Sequence, residues 1–335
     1  MRRRPIWMTA ATLLMLVATA ARADMTALVR NHALSATQGF AGATAALAEA
    51  ARSDCTAAAL RPGYQAASDA WLGLSHLTFG PLEQDGRALT VSFWPDPRGA
   101  VARAVPAILA AQDDAVDDPA AFAQVSIAAR GLVALDRVLF DPALAGYGGG
   151  DYTCRYVQAV TADLARIGAA IDGEWADYGA AMNTAGQPGN SRFLSPDEPQ
   201  QMVYTALLSG LEFDADQRLG RPMGSFDKPR PKLAEAWRSG RAARNIALSL
   251  AALRDLATDL ADRPIPQTQA GFDRAIATAQ ALADSDPSLA GVATPQGRLK
   301  AEILQQQIQA LRDTAEAEIG AAMGLSAGFN AQDGD

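Results

Sequence analysis

Apolar residues along the chain recur at spacings of three and four, Ala is abundant and β-branched runs are scarce, which predicts an almost wholly α-helical protein. Phe122, Val125, Ala129, Leu132, Leu135 and Leu139 fall on one stripe, predicting a helix from Pro119 to Phe140. Asp118-Pro119 supplies its cap and first-turn proline, and Asp141-Pro142 stops it. A second long helix is predicted from Pro295 to Met323, capped by Thr294, with Leu299, Ile303, Leu304, Ile308, Leu311, Ala315 and Ile319 facing inward. Further helices are expected over 26–51, 56–77, 98–112, 153–183, 197–217, 232–261 and 268–284.

Two stretches break this pattern. One runs from Phe79-Gly80-Pro81 to Arg98-Gly99 and contains Ser92-Phe93-Trp94-Pro95-Asp96-Pro97; ordered loops of that length in compact domains are usually functional. The other, Arg218 to Pro231, is rich in Pro, Gly and charge. Gly186-Gln187-Pro188-Gly189-Asn190 reads as a linker, dividing the chain into a first helical bundle over 24–188 and a second over 189–335.

The N-terminus carries Arg2, Arg3 and Arg4, an apolar run from Ile6 to Ala20, and Ala21-Arg22-Ala23, the pattern of a secretory signal peptide cleaved after Ala23. The run is short for a membrane span, which needs roughly 20 residues. Removing residues 1–23 with their four arginines takes the formal charge from −8 to −12. So acidic a mature chain argues against nucleic acid or anionic lipid as a main partner and suits a periplasmic protein. In an oxidising compartment the two cysteines, Cys55 and Cys154, are most simply one disulfide, the alternative being two free thiols.

Candidate chemistry is sparse. Gly131 inside a predicted helix costs about 1 kcal/mol relative to Ala; either close helix packing or an approaching ligand or loop explains it. Of the two histidines, His32 is expected at a frayed or surface position, and His76 near a helix end before the Phe79-Gly80-Pro81 turn. No His-Glu-x-x-His spacing occurs, Ser239 has no His near it in sequence, and no Gly-rich phosphate loop follows a strand.

The run Ala129-Arg130-Gly131-Leu132-Val133-Ala134-Leu135-Asp136-Arg137-Val138-Leu139-Phe140 resembles the core motif of imelysin-like proteins, a family classed among metallopeptidases. Phe79-Gly80-Pro81, Phe93-Trp94-Pro95-Asp96, Trp237-Arg238-Ser239-Gly240-Arg241 with Asn245-Ile246, and the closing Gly328 to Asp335 extend the resemblance over the mature chain. It implies two packed helical bundles and a link with iron uptake through envelope iron-uptake proteins. The family motif is Gly-x-His-x-x-Glu, whose His and Glu share a helix face and can hold a metal such as iron or zinc. Here Val133 and Asp136 stand at those positions. Valine ligates nothing, and a lone carboxylate is a poor transition-metal site.

Arginines gather in or near these motif segments of an acidic chain: Arg98, Arg130, Arg238, Arg241 and Arg244. On the predicted 232–261 helix Arg238 and Arg241 share a face with Asn245, and Arg130 meeting them would make a pocket for carboxylate or phosphate. Alternatively these arginines pair with Asp96, Asp136 or Glu235 across the bundle interface. The expected ligand-binding set is therefore His76, Arg98, Arg130, Asp136, Arg238, Arg241 and Asn245. The expected function is that of a non-catalytic periplasmic binding or accessory protein. The rival is a metallopeptidase with a non-standard metal site made of His76, Glu83 and Asp136.

Overall fold

The computed structural model describes residues 25–261 and 263–325; the signal segment and the Gly328–Asp335 run lie outside the described residues. The fold is all-α, two packed helical bundles, and among the described residues extended pairing is confined to an isolated bridge between Ser225 and Lys228. No described helix is long and apolar enough to cross a membrane.

The first bundle is entered through a π-helical turn, Val29–Leu34, that runs into α1 (Ser35–Ser53). It continues with α2 (Ala57–Leu72), the short α3 (Arg87–Val91), α4 (Ala100–Ala111), α5 (Gly131–Phe140) and the long α6 (Tyr152–Asn183). Helix α1 packs along α6 and α2, and α5 lies on α2 and α6. Their inward stripes bury Phe40, Leu47, Tyr64, Leu135, Leu164 and Trp175 completely or nearly so. Each such side chain contributes roughly 1.5–3 kcal/mol of burial. Cys55, just before α2, and Cys154, in the first turn of α6, form a disulfide across a separation of 99 residues.

The second bundle comprises α7 (Asp197–Glu212), α8 (Ala242–Leu260), α9 (Pro266–Ser285) and α10 (Pro295–Ala315). Helix α7 runs on as a π-helical stretch over Phe213–Gly220. Helix α8 packs on α7 and α9, and α10 on α7 and α9. The two bundles meet where α8 lies against α2 and the Val29–Leu34 turn.

Several expected helices change on folding. The Pro119–Phe140 helix is broken into a turn at Pro119–Phe122, a 3-10 turn at Ile127–Ala129 and α5. Ser126 caps the 3-10 turn by accepting from the Ala128 N–H, and Gly131 takes φ +72°, a left-handed value that starts α5 in a new direction. The apolar stripe survives because Phe122, Ala129, Leu132, Leu135 and Leu139 still reach one core. The 232–261 helix begins only at Ala242, since Ala236 and Gly240 both have positive φ. The 56–77 helix stops at Leu72, which leaves His76 in the turn beyond it. Thr294 caps α10 through the Gly297 N–H as expected, but Leu299 and Ile303 are exposed. A helix packed on one side buries one stripe, and Ala301, Leu304, Ile308, Leu311 and Ala315 occupy it. Within the 79–99 stretch two 3-10 turns and α3 leave Phe79, Glu83 and 92–99 without helix.

Candidate functional site

The site is built where α5, the segment after α3 and the turn before α8 converge. Gly131 opens it: a Cβ there would lie 2.1 Å from the Thr90 carbonyl oxygen and 2.5 Å from that of Val91, so only glycine lets the end of α3 lie on the start of α5. Of the two explanations open for this glycine, close helix packing is the one realised, since Thr90 and Val91 close α3. That contact lays Ser92 to Asp96 over α5. Asp96 then caps α4, accepting from the Ala100 and Val101 N–H groups at 2.8 and 2.9 Å. Trp94 meets Phe213 of the second bundle edge-on, with ring centroids 5.7 Å apart.

Asp136 faces outward from α5 into this region but is itself buried. Its Oδ1 accepts from the Ser239 N–H at 3.1 Å and from the Tyr64 hydroxyl at 3.3 Å. Burial raises its carboxyl above the usual range, against the pull of Ser239, Arg238 and Tyr64. A cavity of about 250 Å³ lies beside it, lined by Val133, Asp136, Arg137 and Trp94 from the first bundle and by Arg221, Lys232, Trp237 and Arg238 from the second. The Arg238 guanidinium stacks over the Trp237 ring at 4.3 Å, with Lys232 Nζ 5.8 Å from the same ring. Asp141 draws in Arg238 at 3.6 Å and Arg137 at 3.7 Å. Four cations thus line a cavity whose two carboxylates, Asp96 and Asp136, are already engaged by N–H and O–H donors.

The expected ligand set is only partly gathered. Asp136 and Arg238 come together at this cavity. Arg130 does not join them: it is buried against Asp163 of α6 at 2.7 Å and donates to the Ala123 carbonyl. Arg241, also buried, bonds Asn245 at 2.8 Å and Asp69 at 2.7 Å and touches Gln65, so it ties α8 to α2. Because residues 234–241 are not helical, Arg238 and Arg241 do not share a helix face. Arg98 sits exposed in a turn, its carbonyl accepting from Arg103. The ion pairs expected with Asp96, Asp136 and Glu235 are replaced by Asp163 for Arg130, Asp69 for Arg241 and Arg244, and Asp141 for Arg238.

Sequence reasoning missed Arg137, Arg221, Lys232 and Trp237. Arg137 directly follows Asp136, a signal within reach; the others come from a stretch whose path only the fold defines. His32 was also misjudged. It is buried, and its Nε2 shares a hydrogen bond of 2.7 Å with Nε2 of His76, because the π-helical turn 29–34 lies inside the bundle interface rather than fraying.

A metal of the kind the Gly-x-His-x-x-Glu motif would hold does not fit these residues. Val133 offers no donor atom, Oδ1 of Asp136 is taken by Ser239 and Tyr64, and among the described residues no three His, Cys, Asp or Glu side chains converge on a point. His76 and Glu83 line a different cavity from Asp136.

A family model described as Imelysin matches residues 27–315. The fold is similar to the crystal structure of an imelysin-like protein from Psychrobacter arcticus 273-4, with a TM-score of 0.74 and 18% sequence identity over 91% of this chain and 96% of that one. No curated protein matches the chain.

Proposed function

The chain belongs to the imelysin family, and on that premise we propose that it is a non-catalytic periplasmic binding protein whose inter-bundle cavity takes a small anion, a carboxylate or a phosphate. The single observation that carries this is the exchange at the family motif: valine stands in place of the ligand histidine, while Arg137, Arg221, Lys232 and Arg238 line the same cavity. Planar guanidinium groups suit bidentate capture of carboxylate or phosphate oxygens, and the Trp237 ring holds the Arg238 fork in place. In a chain of formal charge −8 such a patch of cations is a local inversion of the overall field. Export with cleavage after Ala23, a bundle boundary near 188 and an accessory role in iron uptake complete the proposal. A metallopeptidase built on His76, Glu83 and Asp136 would need those three side chains to converge, and Asp136 lies apart from the other two.

Metal content of the purified protein by plasma mass spectrometry, with titrations of iron(II), iron(III) and zinc, is the first half of the test. Calorimetric titration with citrate and with phosphate, repeated on Arg238→Ala, is the second. The expected outcome is no stoichiometric metal and an anion affinity that falls about tenfold in the variant, the loss of one charge-assisted pair. A stoichiometric metal, or anion binding that ignores Arg238→Ala, overturns the proposal.

A further inference from the structure

A cavity of about 390 Å³ adjoins the one beside Asp136 and shares Lys232, Trp237 and Arg238 with it. It lies between the end of α5, the 231–238 segment and the turn that joins α9 to α10. Phe140, Pro142, Pro231 and Trp237 give it four ring-bearing apolar walls. Cavities of this size, mostly apolar with a few polar groups, suit a small organic molecule. A bare inorganic anion would leave the rings uncovered.

Two of its walls are fixed in unusual backbone. Ala236, directly before Trp237, has φ +47°, and Leu289, between the lining residues Ser288 and Ala290, has φ +58°. Such values are costly for residues with a Cβ and gather at ligand-binding turns. The Leu289 side chain is fully buried, and the Pro287 carbonyl accepts from the Ala243 N–H of α8 at 3.1 Å. The 286–290 turn is therefore a preformed wall.

The polar groups are two cations, Lys232 and Arg238, against one carboxylate, Asp141. Asp141 holds its partners loosely, at 3.6 Å for Arg238 and 3.7 Å for Arg137, beyond hydrogen-bond range. By contrast Arg130, Arg218 and Arg241 hold their carboxylates at 2.7–2.8 Å. Burial, with Arg137 nearby, pulls the Arg238 guanidinium below its ordinary value despite Asp136 and Asp141. An incoming carboxylate can supply the close pairing that Asp141 does not.

Building on the anion-binding reading, on which this assignment rests, we propose that the protein binds aromatic carboxylates. The carboxylate is held by Arg238 and Lys232, which both cavities share, and the ring fills the 390 Å³ cavity against Trp237, Phe140 and the two prolines. The loosely paired cations and the ring-lined walls are independent observations, and this class of ligand answers both. Phosphate answers only the first, and a neutral arene only the second.

Calorimetric titration of the purified protein with sodium benzoate, sodium acetate and benzyl alcohol at neutral pH tests the assignment. Benzoate should bind at least about tenfold more tightly than either of the others, since it alone combines ring burial with a charge-assisted pair. Trp237→Leu should cut the benzoate-to-acetate affinity ratio about threefold or more, a readout that a general loss of anion affinity does not move. Ala290→Glu, at an exposed position that lines this cavity and not the one beside Asp136, should weaken benzoate about fivefold and leave phosphate within about twofold. Should Trp237→Leu not fold, the benzoate preference and Ala290→Glu still decide. Benzoate no tighter than acetate, or indifferent to Ala290→Glu, overturns the assignment. If Arg238→Ala still weakens citrate or phosphate in that case, the anion-binding reading stands alone. No binding of any of these anions up to about 10 mM overturns both.

Discussion

The two histidines stand 44 residues apart in sequence and share one hydrogen bond inside the protein. Burial lowers His32 from its ordinary 6.5 to about 4, with Asp255 pulling the other way, and burial, aided by His32 and Arg218, holds His76 well below its ordinary value. Below pH 6.5 the unfolded chain takes up a proton that the native site refuses. The stability tied to His32 is therefore complete above pH 6.5 and is lost as pH falls toward about 4. Asp214 acts in the opposite sense. Burial raises it from 3.8 to about 6, so its contribution is present at low pH and fades as pH rises through that value. Comparing wild type with His32→Gln cancels Asp214. Urea unfolding at pH 6.5 and pH 4 should show wild type losing about 3 kcal/mol more than the variant, following 1.36 kcal/mol per pKa unit. Parallel losses would mean that His32 charges in the native state.

Elements are placed here by where helices start and stop rather than by their stripes alone. Helix α5 begins at Gly131 because the carbonyls closing α3 occupy the space a Cβ would need. Gly131→Ala would force a left-handed backbone on alanine and push α3 off α5. It should cost about 2–4 kcal/mol in denaturant unfolding and weaken anion binding, since Val133 and Asp136 are carried on the same helix. A variant within about 0.5 kcal/mol of wild type would show that the two segments can separate freely. The turn from Ala234 to Arg241 is the counterpart in the second bundle. Positive φ at Ala236 and Gly240 brings the Ser239 N–H onto Asp136 and turns Trp237 and Arg238 to the cavity.

Across the whole molecule the bundles are held by buried polar links as well as apolar packing. Arg241, its side chain 1% exposed, bridges α8 to Asp69 and Gln65 on α2, while the half-buried Arg238 faces the cavity. Two arginines three residues apart therefore differ in role. Arg241→Ala should destabilise by about 3 kcal/mol, because it empties a buried site and leaves Asn245 without its donor, whereas Arg238→Ala should change thermal unfolding little while weakening anion binding. Paired melting curves check both, and equal losses would make Arg238 part of the structural interface too.

The helical class, the Cys55–Cys154 pairing, the Thr294 cap and the family resemblance were all legible in the sequence, since each depends on residue type, short-range spacing or composition. Val133 and Asp136 in the motif were likewise plain from the order of residues. What only the tertiary structure decided were contacts between segments far apart in the chain: His32 with His76, Asp136 with Ser239, Arg130 with Asp163 and Arg241 with Asp69. The break at Gly131 belongs with these, because the carbonyls that demand it lie about 40 residues earlier. Periodicity records which face of a helix is apolar, but not which partner covers it or which charge lies opposite. That is why Leu299 and Ile303 read as buried from their spacing yet stand in solvent, and why the cations of the cavity emerge only once two bundles are packed together.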